Sequence, residues 1–303
     1  MNHRFVITGA SGFLGSHLVA NLENADYKNV VLVNRSFSKN KNNYKNVVGN
    51  FSDEVLMSNT IEKNDIIVHL ACSSIPATSE SDKERDFQEN VIGTKKLLEV
   101  CGRKKIKKFV FISSGGTVYG NYGNKPVTEE IECRPINAHG KMKLAIEKYV
   151  CSCAEKYNFD YVIMRPGNLY GRVGDLGRKQ GAIDVFMQKI LNGQSIEIWG
   201  DGEIVRDYVY IDDAVDLLIK VMEDSVQGVF NMGTGEDVSL KQIINLINKV
   251  SGKQSQVVYG EKREIDVPFI VLNSDKALRE LGWKPKVNLE EGINRLYKKI
   301  ICE

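Results

Sequence analysis

The sequence predicts a doubly wound α/β fold with a smaller C-terminal domain, and three features carry that prediction. Apolar runs of strand length alternate with helical stretches, a glycine-rich turn joins the first run to the first helix, and from about Arg165 the rhythm loosens into loops. The strand-like runs are Arg4–Thr8, Val30–Val33, Ile66–Leu70, Phe109–Ile112 and Tyr161–Met164. Runs that are apolar throughout, rather than alternating, suit strands covered on both faces, as in a parallel sheet built from βαβ units. Leu14, Leu18 and Leu22 give the first helix an apolar stripe, and Val91, Leu97, Leu98 and Cys101 give a later helix another, so each has a face to lay on the sheet. Asn34–Asn50, rich in Asn and Lys, reads as a solvated loop after the second strand. The basic tract Arg103–Lys108 falls where a helix ends, and cations there complement the helix dipole. Residues 1–165 are therefore expected to form a dinucleotide-binding Rossmann domain. Residues 166–303 are expected to be mainly a substrate-binding domain, with a segment near 204–222 returning to the first.

Lys and Arg (41) nearly balance Asp and Glu (39), and this near-neutral surface does not call for a nucleic-acid partner. No stretch reaches the roughly 20 apolar residues of a membrane span, and the start of the chain lacks an apolar run of signal-peptide length, so a cytoplasmic protein without a membrane partner is expected. Cys72, Cys101, Cys133, Cys151, Cys153 and Cys302 are scattered, the closest pair being C-x-C, and read as reduced thiols. His3, His17 and His69 stand singly, without an acidic or histidine cluster at ligand spacing, so no metal is expected.

The run Thr8-Gly9-Ala10-Ser11-Gly12-Phe13-Leu14-Gly15 lies between the first strand and the first helix. Glycines there let the backbone approach a pyrophosphate, whose charge meets free N–H groups and the positive end of the helix dipole. That context makes a dinucleotide, NAD or NADP, the expected cofactor. After the second strand, where an acid commonly holds the ribose, the sequence reads Val33-Asn34-Arg35-Ser36. An amide does not repel a 2′-phosphate and Arg35 can pair with one, which tips the expectation slightly to NADP. Arg35 can equally stack on the adenine of NAD.

Further motifs follow in order: Asp65 to Ala71 ending His69-Leu70-Ala71, Asn90-Val91-x-Gly93-Thr94, Ser113-Ser114 leading to Val118-Tyr119-Gly120, Arg165-Pro166-Gly167-Asn168-x-Tyr170-Gly171, Arg206 to Asp213, and Leu281-Gly282-Trp283-x-Pro285. With the glycine turn, they make the chain resemble the extended short-chain dehydrogenase/reductase family, and within it the nucleotide-sugar epimerases and dehydratases. The resemblance implies an NAD(P)-dependent enzyme whose partner is a nucleotide-sugar substrate. It also implies a homodimer packed through the helix that carries Lys143, although Leu144, Ile146 and Val150 on that segment fit packing within one chain equally well. It places Gly9, Ser11, Gly12, Phe13, Leu14, Gly15, Asn34, Arg35, Asn50, Phe51, Leu70, Ala71, Asn90, Lys143 and Gly167 along the cofactor. Asn168, Arg206, Arg263 and Asp266 would hold the sugar's nucleotide diphosphate, a role that suits the planar fork of arginine.

The chain departs from the family where catalysis is expected. Pro135-Ile136-Asn137-Ala138-His139-Gly140-Lys141-Met142-Lys143, then Glu147, puts His139 at the place of the family's tyrosine. Gly115 stands where relatives carry a catalytic Ser or Thr, and Thr117 is the nearest hydroxyl. His139, Lys143 and Thr117 are the catalytic candidates. An unperturbed imidazole exchanges protons near neutrality, and Lys143 would favour its neutral form. Three readings of His139 stay open: a working acid/base, a loss of activity, or a part in an altered reaction with another base. The leading expectation is a 4-epimerase-like enzyme that transiently oxidises a ring hydroxyl. An NADPH-dependent keto-sugar reductase and a catalytically impaired binding protein are the alternatives. Gly116 and Thr117, where related dehydratases carry an acidic pair, weigh against dehydration.

Overall fold

The structure, a computed structural model, describes residues 3–36, 43–173, 181–263 and 266–302. Along the chain the elements run β1 (Phe5–Thr8), α1 (Phe13–Asn24), β2 (Val30–Asn34), β3 (Lys45–Val48), α2 (Glu54–Thr60), β4 (Ile66–His69), α3 (Pro76–Ser81), α4 (Lys83–Asp86), a π-helical turn (Phe87–Ile92), α5 (Gly93–Lys104), β5 (Lys108–Ile112), α6 (Gly115–Val118), α7 (Ala138–Tyr157), β6 (Asp160–Pro166) and β7 (Asn168–Tyr170). They continue with α8 (Ala182–Leu191), β8 (Ile196–Trp199), β9 (Val205–Arg206), β10 (Tyr208–Tyr210), α9 (Ile211–Glu223), β11 (Gly228–Met232), β12 (Val238–Ser239), α10 (Leu240–Ser251), β13 (Val257–Gly260), β14 (Phe269–Ile270), α11 (Asp275–Leu281) and α12 (Leu289–Cys302).

Two compact units emerge. The first comprises residues 1–114, 137–165 and 215–230, and the second residues 115–136, 166–214 and 231–303. The first is the Rossmann unit predicted from the alternating strands. Its sheet has the order β11-β6-β5-β4-β1-β2-β3, and the pairings from β6 across to β3 are parallel. Val6, Ile67, Phe109 and Ile163 from the strands share a core with Leu97, Leu98 and Cys101 of α5 and with Ile146, Val150 and Cys153 of α7. Ile146 and Val150 are thus engaged within this unit.

Three sequence expectations are corrected here. The loop expected over Asn34–Asn50 contains strand β3, which pairs along β2 and is only half-buried. An edge strand needs just one apolar side, so Lys45-Asn46-Val47-Val48 gave little periodic signal. Residues 37–42 of that stretch lie outside the described residues. Lys108 is not part of a solvated helix end: α5 stops at Lys104, with Lys105 in the left-handed region at φ 55°. Lys108 begins β5, fully buried, and its ammonium donates to the carbonyl of Val221 at 3.1 Å. Finally, residues 115–136 pack with the second unit, and the segment that returns to the first is 215–230.

Among the described residues, the second unit holds three small sheets, β10-β7, β12-β9-β14 and β13-β8. Buried Asp207 anchors it by accepting hydrogen bonds from Thr234 N and Oγ1 and from Gly235 N and Leu272 N. The indole N–H of Trp283 donates to the carbonyl of Asp213 at 3.1 Å, and the Asp213 carboxylate caps the backbone N–H groups of Lys286 and Val287. Two motifs far apart in sequence are therefore one structure.

Candidate active site

In the first unit, β1 delivers the chain into a turn that only glycine permits at two places. Gly9 sits at φ +75°, and a Cβ there would lie 2.6 Å from the backbone nitrogen of Ala71. At Gly15 a Cβ would lie 2.4 Å from the carbonyl oxygen of Gly9. Leu70 and Ala71 directly follow β4, the strand beside β1, and form the wall that packs against Gly9. Helix α1 then starts after Gly12 with no side-chain cap among the described residues and no acid in its first turn. A helix start of that kind suits an anion. Ser11 donates its backbone N–H to Asn34 Oδ1 at 3.0 Å. The Nδ2 group of Asn34 is buried without a hydrogen-bond partner among the described residues. A buried N–H donor left over beside such a turn fits an oxygen acceptor such as a ribose hydroxyl. These observations agree with a dinucleotide. Arg35 is exposed at the end of β2.

Several expected cofactor residues have structural tasks of their own. Asn50 is exposed and its Oδ1 accepts from Ser52 N at 3.0 Å, closing a turn. Phe51 meets His69 edge-on, with ring centres 4.8 Å apart. Asn90, on the π-helical turn, is buried and satisfied: it donates to Ser73 Oγ at 2.9 Å and Asp86 Oδ1 at 2.7 Å, and accepts from Ser73 N at 2.9 Å. It ties down the loop after β4. π turns of this sort recur at functional sites. His69 lies between Thr8 Oγ1 at 2.7 Å from Nδ1 and Thr94 Oγ1 at 3.0 Å from Nε2, which makes it a core histidine.

Helix α7 brings two of the catalytic candidates, His139 and Lys143, onto one face at a spacing of one turn. Asn137 caps the helix through Gly140 N at 2.9 Å, and Glu80 of α3 accepts from Ala138 N at 3.0 Å. His139, one residue on, is buried, and its Nδ1 lies 3.2 Å from Ser79 Oγ, also on α3. Lys143 is buried and donates to the carbonyl of Ile112 at 2.9 Å, with its ammonium 5.0 Å from the centre of the Phe111 ring. A turn further, Glu147 pairs with Arg165 at 2.6 Å and also accepts from Ser113 Oγ, all three buried. This fixes α7 to β5 and β6.

Burial first, and the charge of Lys143 second, push both His69 and His139 down to a pKa of about 3. The expectation that His139 titrates near neutrality is corrected: a desolvated ring beside an ammonium stays neutral well into acid. Because the folded pKa lies below the unfolded one, the unfolded chain takes up protons that the folded chain refuses. Each histidine therefore lowers stability as pH falls below about 6.5, by roughly 1.4 kcal/mol per pH unit until about pH 3, and contributes no slope above 6.5. Asp184, which burial raises to about 6, acts in the opposite direction. The His139 share is isolated by comparing wild type with His139→Gln in urea at pH 6.5 and pH 5. The wild type should lose roughly 1.5 kcal/mol more than the variant over that interval. Equal losses would show that His139 is not held neutral.

In the second unit, α6 carries Thr117, whose buried Oγ1 has no hydrogen-bond partner among the described residues. A Cβ at neighbouring Gly116 would lie 3.4 Å from Asn168 Oδ1, so the short helix runs beside β7. Asn168 is the cross-strand partner of Tyr208. Gly167 donates its N–H to Met232 O at 2.9 Å, and a Cβ there would lie 2.8 Å from the carbonyl oxygen of Asp207. Close packing alone therefore accounts for that glycine. Arg206 is largely buried and donates from Nη1 to the carbonyls of Val205 at 2.8 Å and Val267 at 2.6 Å. Burial pushes its pKa below the usual value. Arg263 pairs with Asp266 at 2.9 Å and lies over the exposed Trp199, 5.4 Å from the ring centre. The structure thus joins Arg263 to Asp266, and Gly116 to Asn168. The stretch Gly171–Gly181 was expected to be a loop that shapes the substrate pocket, and most of it, residues 174–180, lies outside the described residues.

Ser79 and Glu80 were not expected site residues, whereas Trp199 ends the segment Gln194–Trp199 that was expected to shape the substrate pocket. Ser79 and Glu80 lie some 60 positions before their partners and belong to no motif, so only the packing of α3 on α7 reveals them.

The sequence profile described as the NAD dependent epimerase/dehydratase family matches residues 5–233. A relative from Methanocaldococcus jannaschii, named as a putative UDP-glucose 4-epimerase, is 32% identical over 297 residues, covering 96% of each chain. A Thermotoga maritima UDP-glucose 4-epimerase crystallised with UDP-glucose superposes with a TM-score of 0.91 at 34% identity, over 99% of this chain and 100% of that one. A Thermus thermophilus UDP-glucose 4-epimerase in complex with NAD gives a TM-score of 0.90 at 26% identity, over 97% and 98%.

Proposed function

The chain belongs to the NAD-dependent epimerase/dehydratase family, and from that premise we propose that it is a nucleotide-sugar 4-epimerase that uses His139 where its relatives use tyrosine. The observation that carries the reading is the face of α7, which holds His139 and Lys143 one turn apart, buried, in the same unit as the glycine turn. Gly9, Gly12 and Gly15 admit the pyrophosphate, and Asn34 Nδ2 donates to the adenosine ribose. We assign NAD rather than NADP. Asn34 and Arg35 tolerate a 2′-phosphate, but the NADP preference they suggested gains no support from a structural neighbour that binds NAD. When bound, NAD supplies a hydride acceptor for the carbon bearing the hydroxyl.

The residues of the chain do the rest. His139, uncharged at neutral pH, meets the oxygen at the reacting carbon and exchanges the proton there. Lys143 places a positive charge one turn away, which disfavours protonating the ring at rest and favours negative charge on the sugar oxygen. Thr117, in the second unit, is the further catalytic candidate, its buried hydroxyl without a hydrogen-bond partner among the described residues. Asn168, Arg206, Arg263 and Asp266 hold the nucleotide diphosphate, for which the arginine forks suit phosphate oxygens. UDP-hexoses are the first substrates to try, because the neighbours named above act on or bind them.

The test combines a substrate panel with substitutions at His139. Incubation with UDP-, GDP-, CDP- and dTDP-sugars should give epimers with no net cofactor consumption. His139→Ala should lower turnover by roughly 100-fold or more, the usual share of a general acid/base. Undiminished turnover in that variant would remove His139 from the reaction. Stoichiometric NADPH consumption would replace the epimerase with a keto-sugar reductase. A wild type inert at every pH alongside an active His139→Tyr would mean that histidine impairs the site.

A further inference from the structure

His139 is the least expected residue of the site, and what holds it comes from outside the motif. Ser79 is completely buried on α3, and the only hydrogen bond of its hydroxyl among the described residues joins it to His139 Nδ1 at 3.2 Å. Its neighbours on the same helix spend their hydroxyls differently: Thr78 donates to the carbonyl of Ile75 and Ser81 to that of Thr78. Glu80, next to Ser79, accepts from Ala138 N at 3.0 Å, so two consecutive residues of α3 hold two consecutive residues at the head of α7.

A hydroxyl carries one proton and must place it. Ser79 is wholly buried and its hydroxyl bonds to no other acceptor among the described residues; leaving that O–H unpaired costs about 1–3 kcal/mol, whereas a hydroxyl oxygen tolerates an unused lone pair. The arrangement that satisfies Ser79 has its O–H donating to a bare Nδ1. A neutral imidazole with a bare Nδ1 carries its proton on Nε2.

We propose that Ser79 is a positioning residue that grips His139 by Nδ1 and fixes the resting ring in the tautomer with its proton on Nε2. The proposal rests on the reading of His139 as the group that meets the sugar oxygen. A ring of this tautomer donates to that oxygen, which matches a keto oxygen, since a keto oxygen only accepts. Held this way, the ring offers its Nε2–H to the keto oxygen as a hydrogen bond and keeps its proton.

The experiment is ¹⁵N NMR of the histidine-labelled full-length protein at pH 7, with His139→Gln assigning the resonance. The wild type should show Nδ1 with the shift of an unprotonated ring nitrogen and Nε2 with that of a protonated one. Ser79→Ala should show mixed or reversed tautomers, and Ser79→Thr, which keeps the hydroxyl, should return toward wild type. Ser79→Ala should also lower kcat by roughly 10-fold or more while KM changes less than twofold, since the residue acts through His139. A wild-type spectrum with the proton on Nδ1 overturns the proposal without recourse to any variant. So does a Ser79→Ala spectrum identical to wild type. The spectrum is read without substrate, so a protein that shows the Nε2–H tautomer yet epimerises nothing would sink the functional reading and leave this one standing.

Discussion

Glu147→Ala should destabilise the protein by about 3–5 kcal/mol, the usual consequence of stripping one partner from a buried ion pair. Glu147 and Arg165 are both almost wholly buried and meet through two contacts, at 2.6 and 3.1 Å. Removing the carboxylate leaves a guanidinium that cannot shed its proton in a site without its counter-charge, and it leaves the Ser113 hydroxyl without its acceptor. Glu147→Gln keeps the volume and the acceptor oxygen but not the charge, so it should recover only part of the loss. The double variant Glu147→Leu with Arg165→Met removes both charges together and should cost less than Glu147→Ala alone, because buried pairs are costly mainly when broken. Urea unfolding at pH 7 measures all three. If Glu147→Ala loses less than about 1 kcal/mol, the pair is not what fastens α7 to the sheet.

Gly9→Ala should abolish measurable dinucleotide binding, with a loss of at least roughly 100-fold. Two independent costs combine. A left-handed backbone at φ +75° penalises any Cβ by about 1–2 kcal/mol, and this Cβ would also sit 2.6 and 2.7 Å from backbone atoms of Ala71, which cannot turn aside as a side chain can. The turn must open, and with it the approach of the backbone to the pyrophosphate. Gly123→Ala is the matched control: its φ is +74°, but no atom of the described residues lies within 4 Å of the added carbon. It should carry a similar backbone penalty in stability and leave cofactor affinity unchanged. Calorimetric titration with NAD separates the two, and equal affinities for Gly9→Ala and wild type would rule out the turn as the binding site.

Much of the fold was legible because its signals are local. Five strand cores and the apolar stripe of α1 were readable from runs of residues, and the glycine turn from its place between a strand and a helix. β3 was not readable, since an edge strand with two apolar residues looks like a loop. The burial of Lys108 was hidden by its basic neighbours, although only its position at the start of β5 decides its fate. At the site, the sequence showed His139, Lys143 and Glu147 at intervals of four, which α7 turns into one helical face. Their environment was not legible: the low pKa of His139 comes mainly from burial, a property of the packed unit. Ser79 illustrates the same limit, because a hydrogen bond across 60 positions has no sequence period.

The most direct measurement of the central claim follows deuterium placed on C4 of a UDP-hexose incubated with the protein and NAD. Transient oxidation and return of the same hydride predicts that both C4 epimers appear, that each keeps its deuterium in heavy water or light, and that no reduced cofactor accumulates. Tight binding of both ligands with neither epimer formed, or loss of the label to solvent, would contradict it.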